Sequence, residues 1–174
     1  MRKLILYSAT SLDGKIASPD GSIDWLPDPT EEDYGYKEFY DSVDTVVMGY
    51  KTYEKTLTFG EWSFNGKESF VFSRNPGKKV VREAELVNVD PVEFVKGLKR
   101  KPGKDIWLVG GGEINTLLHN AKLIDEYILA YIPVLLGEGL ELFPDIKTRV
   151  DLKIRKSKVY PNGLVLLYLS PKTV

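Results

Sequence analysis

DIWLVGGGEINTLL (105–118) runs from an apolar segment through three consecutive glycines into a stretch that reads as a helix. A short apolar run bounded by glycine suits a buried strand, and a strand passing into a helix is the repeating unit of an α/β sheet. The glycines leave two readings open. One is a tight turn that needs positive φ. The other is bare backbone that lets a ligand approach the free amides opening the next helix, where a phosphate is favoured.

The same alternation extends outward. LILYSA (4–9), DTVVMG (44–49), SFVFSR (69–74), AELVNV (84–89) and DIWLVG (105–110) are predicted strands. TEEDYGYKEFYDSV predicts a helix from Thr30, with Thr30 as N-cap and acids in its first turn, and its Tyr36, Phe39 and Tyr40 facing inward. YKTYEKTL, DPVEFVKGLKR (90–100) and EINTLLHNAK are the other predicted helices, with Asp90 as the cap and Pro91 at the first position of the second. DEYILAYIPVLLGEG is a long extended segment broken by Pro133 and Gly137, apolar enough for buried sheet or a subunit seam. LKIRKSKVYPNGLVLLYLS closes the chain as a hairpin around Pro-Asn-Gly. The expected fold is a three-layer αβα sandwich in one domain, 1–174, with a terminal antiparallel hairpin on a mostly parallel sheet. Loops 18–30 and 58–67 are the segments expected to move.

Composition narrows the chemistry. Twenty-four basic and 25 acidic residues, interspersed, leave a net charge of −1, so neither nucleic acid nor an anionic membrane is an expected partner. The absence of cysteine excludes disulfides and thiolate chemistry, and the single histidine, His119, argues against a zinc site. His119 reads as a surface or capping residue. No apolar run spans a bilayer and the first residues turn polar early, which points to the cytoplasm.

Ligands of open α/β sheets bind at the carboxyl ends of the strands, and three such ends carry related chemistry. Gly110 to Gly112 offer bare backbone. MGYKT (48–52) offers Gly49 with Lys51 and Thr52, and FSRN (72–75) offers Ser73 with Arg74. Each alone equally fits a solvated helix start or a surface residue. Together they resemble the contacts of a dinucleotide with more than one phosphate.

In order, SLDGKIA (11–17), VVMGYKTYE (46–54), FVFSRNP (70–76), IWLVGGGEI (106–114), LIDEYILAYIPVLLGEG (123–139) and LF (142–143) resemble the dihydrofolate reductase superfamily. They resemble most its branch related to the reductase domain of riboflavin biosynthesis. The resemblance implies a mostly parallel eight-stranded sheet that binds NADPH across its strand ends and transfers hydride. It implies that Ala9, Ile16 and Ala17 lie beside the nicotinamide. Gly49, Lys51 and Thr52 would meet pyrophosphate and ribose, and Ser73 and Arg74 the 2′-phosphate. Gly111, Gly112, Glu113 and Ile114 would complete the cradle, with a cis Gly110–Gly111 peptide. It also implies a homodimer.

The departures concern the substrate. The superfamily commonly places Arg after the MG pair, where this chain has Tyr50. Riboflavin-pathway reductases carry Glu before the Gly-Gly pair and Lys in the first strand, where Gly110 and Tyr7 stand here. A gapless count places Asp33 at the carboxylate of dihydrofolate reductases, making it the candidate proton relay, with Asp28, Glu31 and Glu32 as substitutes and helix-terminal charge as the alternative. Asp13 reads as a turn residue. Tyr7, Trp25 and Tyr36 are candidate substrate contacts, with Trp25 in a position to close as a lid. A small-molecule reductase, a dihydrofolate reductase proper and a non-catalytic NADPH-binding protein all fit these residues.

Overall fold

A computed structural model describes residues 1–28, 30 and 32–172. In chain order the elements are β1 (Leu4–Ser11), β2 (Lys15–Ala17), α1 (Tyr36–Ser42), β3 (Val43–Gly49), α2 (Tyr50–Leu57), β4 (Glu68–Phe72) and β5 (Glu85–Val87). They continue with α3 (Pro91–Arg100), β6 (Asp105–Gly110), α4 (Gly112–Asn120), β7 (Glu126–Ile132), β8 (Leu140–Glu141), β9 (Leu152–Val159) and β10 (Val165–Pro171). The main sheet has eight strands in the order β5-β4-β3-β6-β1-β7-β10-β9. The first six are parallel, and β10 runs antiparallel to both β7 and β9. The short β2 and β8 pair separately.

Alternation along the central strands splits the core into two layers. On one face Leu4, Leu6, Leu108 and Leu129 pack with Val95 and Leu98 of α3 and Leu118 of α4. On the other, Ile5, Val46, Trp107 and Ile128 pack with Phe39 of α1, Tyr53 of α2 and Leu166 of β10. Leu4, Leu6, Val46, Val47, Ile106 and Leu108 have no exposed surface, as expected for parallel strands covered on both faces. The predicted three-layer sheet and its terminal hairpin are therefore present.

Local boundaries differ from expectation in one place that matters. The first helix starts at Tyr36 behind Gly35, whose φ of +78° is left-handed, and not at Thr30. Thr30 instead gives both its amide and its hydroxyl to Asp28 in a turn of its own. The Asp/Thr pair competes locally for the bonds a helix would need, which shortens the helix. Asp33 remains its terminal acid: its carboxylate accepts the Lys37 amide at 3.1 Å. Glu31 lies outside the described residues. The 58–67 loop is anchored by buried Phe64 and by Lys67, whose ammonium donates to the carbonyls of Tyr40 and Val43.

His119 is buried, contrary to the expectation of a surface residue. Its Nδ1 faces the Tyr127 hydroxyl at 3.0 Å and its Nε2 the Thr148 carbonyl at 2.8 Å. Both nitrogens thus tie α4 to β7 and to the segment before β9. Burial pushes the Tyr127 phenol up to about 12, so it stays a neutral partner.

Candidate active site at the carboxyl edge of the sheet

The strand order sets β3, β6 and β1 side by side, so their carboxyl ends bring Gly49, Gly110 and Ala9 to one edge. Gly49 and the second glycine loop touch: a side chain on Gly49 would begin 3.9 Å from the Gly110 carbonyl and 3.3 Å from Ile114 Cγ1. The Thr52 hydroxyl stands over Gly111. The Gly110–Gly111 peptide is cis, as the resemblance implied.

Helix ends at this edge are unlike the third. Asp90 caps α3, accepting from the amides of Val92 at 2.7 Å and Glu93 at 3.4 Å. No side chain caps α2 behind Gly49 or α4 behind Gly111. Two neighbouring helices therefore present free amides and the positive ends of their dipoles where bare glycine admits a ligand. Beside them Lys51 and Arg74 are exposed and, among the described residues, pair with no carboxylate. Buried Asn115, on the first turns of α4, donates to the Leu142 carbonyl while its Oδ1 is unpartnered, 3.6 Å from where a Gly110 side chain would begin.

The other predicted residues lie around this edge in several places. Ser73 and Arg74 lie just past β4, with Ser73 held by Asn75 and by the Asn88 amide on its carbonyl. Ile16 and Ala17 sit on β2, which β8 holds against the sheet edge: a side chain on Gly139 would meet the Ala17 carbonyl at 2.4 Å. Gly112 is required by packing, since a Cβ there would lie 2.2 Å from the Glu141 carbonyl and 2.7 Å from Pro144 Cδ. Glu113 is an exposed first-turn acid and Ile114 packs on Gly49. Tyr50, in place of the superfamily's Arg, donates its hydroxyl to the Lys79 carbonyl and carries the Lys78 ammonium 4.5 Å from its ring centre.

Behind Ala9, on the same face of β1, an aromatic chamber forms. Tyr7 stacks on Phe39 at 4.4 Å and 13°, with Tyr36 6.1 Å away. The Trp107 ring closes the floor edge-on, 5.3 Å from Phe39, and its Nε1 donates to the Tyr7 carbonyl. Trp25 packs against the same cluster with its Nε1 buried and unpartnered. Asp33 is exposed just before α1, where its carbonyl accepts the Tyr36 amide at 2.9 Å. Burial pushes Tyr36 up to about 12 and Tyr7 higher still, so both are protonated donors at neutral pH.

The RibD C-terminal domain family matches residues 54–166. The chain belongs to this family. Over 171 residues it is 38% identical to the uncharacterized protein YwjB of Bacillus subtilis (strain 168), covering 97% of this chain and 98% of that one. A putative riboflavin biosynthesis protein from Shewanella sp. PV-4 superposes with a TM-score of 0.87 at 30% identity, covering 98% of this chain and 99% of that one. Dihydrofolate reductase from Enterococcus faecalis, complexed with NADP(H) and RAB-propyl, gives 0.73 at 18% identity over 98% and 97% of the two chains, which shows the shared fold.

As a RibD-type domain the chain carries features that its sequence pattern left unread. Asn115 is a polar residue at a core-facing position one turn into α4, and only its orphaned oxygen marks it. Trp107, Tyr160 and Tyr168 come from β6 and the terminal hairpin, distant in sequence, and their convergence on Tyr7 follows from strand order. Asp13 is a turn residue, as read: it accepts from Ser11 Oγ and from the amides of Leu136 and Gly137, which holds its carboxyl at about 2. Among the described residues no cluster of His, Asp or Glu could hold a metal ion, and no helix is long and apolar enough to cross a membrane.

Proposed function

We propose that the protein is an NADPH-dependent reductase that passes hydride to a small heterocyclic or sugar-linked C=N or C=O substrate, as RibD-like reductases do. The observation that carries this reading is the pair of uncapped helices, α2 and α4, side by side behind Gly49 and Gly111. Free amides and bare backbone fit a pyrophosphate better than a purely structural turn, because such amides are otherwise left without an acceptor.

Gly49, Thr52, Gly111, Gly112, Glu113 and Ile114 would cradle the pyrophosphate, mostly through backbone amides. Lys51, Ser73 and Arg74 would take the charge of the 2′-phosphate. Ala9, Ile16 and Ala17 would flank the nicotinamide, which supplies the hydride when bound. Tyr7, Trp25 and Tyr36 would hold the substrate ring, and Asp33, just before α1, would pass a proton to the reduced atom directly or through water. A cytoplasmic homodimer accompanies this reading: Ile154 and Val159 on edge strand β9 are 62% and 71% exposed, an apolar seam that a second copy would cover.

Fluorescence titration with NADPH tests the reading, followed by a substrate screen monitored through NADPH oxidation and repeated with Asp33→Asn. Saturable binding and turnover that Asp33→Asn removes are expected. A protein that ignores NADPH overturns the reading, and one that binds it without any turnover is a binding protein. Light scattering settles the dimer.

A further inference from the structure

Arg2, just before β1, is 6% exposed, yet its guanidinium is only partly used by the protein. Its amide donates to the Lys99 carbonyl near the end of α3, its Nε to the Lys104 carbonyl, and its Nη2 to Asp44 and to Thr45 Oγ1. Among the described residues Nη1 bonds to nothing. Nor is it one of the sealed, unpartnered atoms, which among the described residues are Trp25 Nε1, Trp62 Nε1, Asn115 Oδ1 and Thr116 Oγ1. That nitrogen therefore reaches open space, and Arg2 lines a cleft of about 700 Å³ together with Arg100, Lys101, Gly103 and Asp105.

The cleft lies at the amino ends of β1 and β6, the edge away from Gly49, Gly110 and Ala9. At about 3.3 Å per residue, β3 separates the two edges by about 20 Å, so this space is distinct from the cofactor cradle. Three lining cations face one lining carboxylate. Arg100 and Lys101 are exposed and, among the described residues, pair with no carboxylate. Asp105 accepts the Lys3 amide at 2.7 Å, and Asp44 is committed to Arg2 and the Lys104 amide. Gly103, with φ of +143°, lies bare against the guanidinium: a Cβ there would stand 2.8 Å from Asp44 Oδ2 and 3.1 Å from Arg2 Cζ. Cations at the carboxyl end of a helix complement its dipole, which accounts for Arg100 and Lys101 by themselves. It does not account for a buried guanidinium that keeps a free nitrogen towards the same cleft.

We propose that this cleft binds an oligophosphate, a di- or triphosphate chain, with Arg2 Nη1 on its floor and Arg100 and Lys101 at its rim. Guanidinium and ammonium groups hold phosphate oxygens through charge-assisted bonds, and three cations spread around one cleft suit several linked phosphates better than one. The volume falls within the range of small-molecule sites. Met1 and Pro102 supply its apolar lining, and among the described residues no aromatic ring borders it, so a nucleobase gains nothing there. The phosphate chain, free or carried by a nucleotide, is what the cleft recognises. The site stands independently of the reductase reading.

Calorimetric titration with inorganic triphosphate and with ATP, in metal-free buffer containing saturating NADPH, tests the site. Triphosphate is expected to bind, with ATP matching it within a few-fold. The double variant Arg100→Ala, Lys101→Ala changes two exposed side chains and should fold normally, while weakening triphosphate by about tenfold or more and leaving NADPH affinity unaltered. Arg2 is too deeply packed to replace, so its Nε–H resonance is followed by NMR instead and is expected to shift as triphosphate is added. No triphosphate binding, equal affinity in the double variant, a marked preference for ATP, or an Arg2 resonance that stays in place each overturns the inference. Failure to bind NADPH bears on the reductase reading alone.

Discussion

The Thr52 hydroxyl lies 3.0 Å from the point at which a side chain on Gly111 would begin. That gap is too small for a methyl group beside an unmoved hydroxyl, yet the Gly111 φ of −80° is one that alanine adopts freely. Gly111→Ala should therefore fold normally, with Thr52 giving by a few tenths of an ångström and the new methyl filling the bare backbone of the cradle. NADPH affinity is expected to fall by about tenfold or more, roughly 1.4 kcal/mol, in a fluorescence titration. An unchanged affinity would remove Gly111 and Thr52 from the cofactor site.

Gly112, the next residue, should behave in the opposite way. Its Cβ would collide with the Glu141 carbonyl and Pro144 ring, both parts of the chain that also hold Asn115 through the Leu142 carbonyl. Backbone cannot swing aside as a side chain does. Overpacking of this kind costs about 1 to 3 kcal/mol or more, which for a chain of this size lowers the melting temperature by roughly 5 °C. Gly112→Ala is expected to show that loss in thermal unfolding, with or without NADPH. A variant of unaltered stability would show that packing against Glu141 and Pro144 does not require glycine at 112.

The contrast between these neighbours shows where sequence stopped being sufficient. GGG was legible as a strand-helix junction because apolar runs and glycine report directly on local backbone. Gly112's true constraint comes from residues about thirty positions away, which no local pattern carries. The same holds at the N-terminal side of α1: Thr30 has the right chemistry for a cap, and Asp28 two residues earlier captures its hydroxyl and amide first. His119 offers no periodic signal that separates a surface residue from one bridging Tyr127 and Thr148. The phenol cluster was half legible. Tyr7, on the first strand, and Tyr36, an aromatic at helical spacing, could be named from local pattern, whereas Tyr160 and Tyr168 join them only because β10 inserts between β7 and β9.

At the opposite edge of the sheet Arg2 is buried, its guanidinium held by Asp44, Thr45 and the Lys104 carbonyl. Asp44 also accepts the Lys104 amide, so it binds β3 to the loop before β6 as well as neutralising the cation. Asp44→Ala would leave a buried charge with only neutral partners. A destabilisation of about 2 kcal/mol or more is expected in urea unfolding, with NADPH affinity of the folded protein unaltered because the cradle lies at the far ends of these strands. Replacement of Arg2 and Asp44 together by apolar residues should recover part of that loss, since the desolvated charge is then gone.

Asp13 gives the fold a pH dependence at the cofactor edge. Its carboxylate accepts from Ser11 Oγ and the amides of Leu136 and Gly137, and it bridges the turn after β1 to the segment after β7. The hydrogen bond from Ser11, then that from Leu136, lowers its pKa from 3.8 to about 2. A carboxyl whose folded value lies below its unfolded value favours the folded form fully above about pH 4, and loses that contribution as pH falls towards 2. Acid should thus loosen the 11–17 turn, which carries Ile16 and Ala17, before the sheet unfolds. Amide exchange measured at Leu136 and Gly137 is expected to rise between pH 4 and 2, after correction for intrinsic rates, and Asp13→Ala should show the same rise already at neutral pH. Asp13→Asn should fall between, because its amide oxygen still accepts but carries no charge. If exchange at these two amides is indifferent to both pH and substitution, Asp13 does not hold the turn.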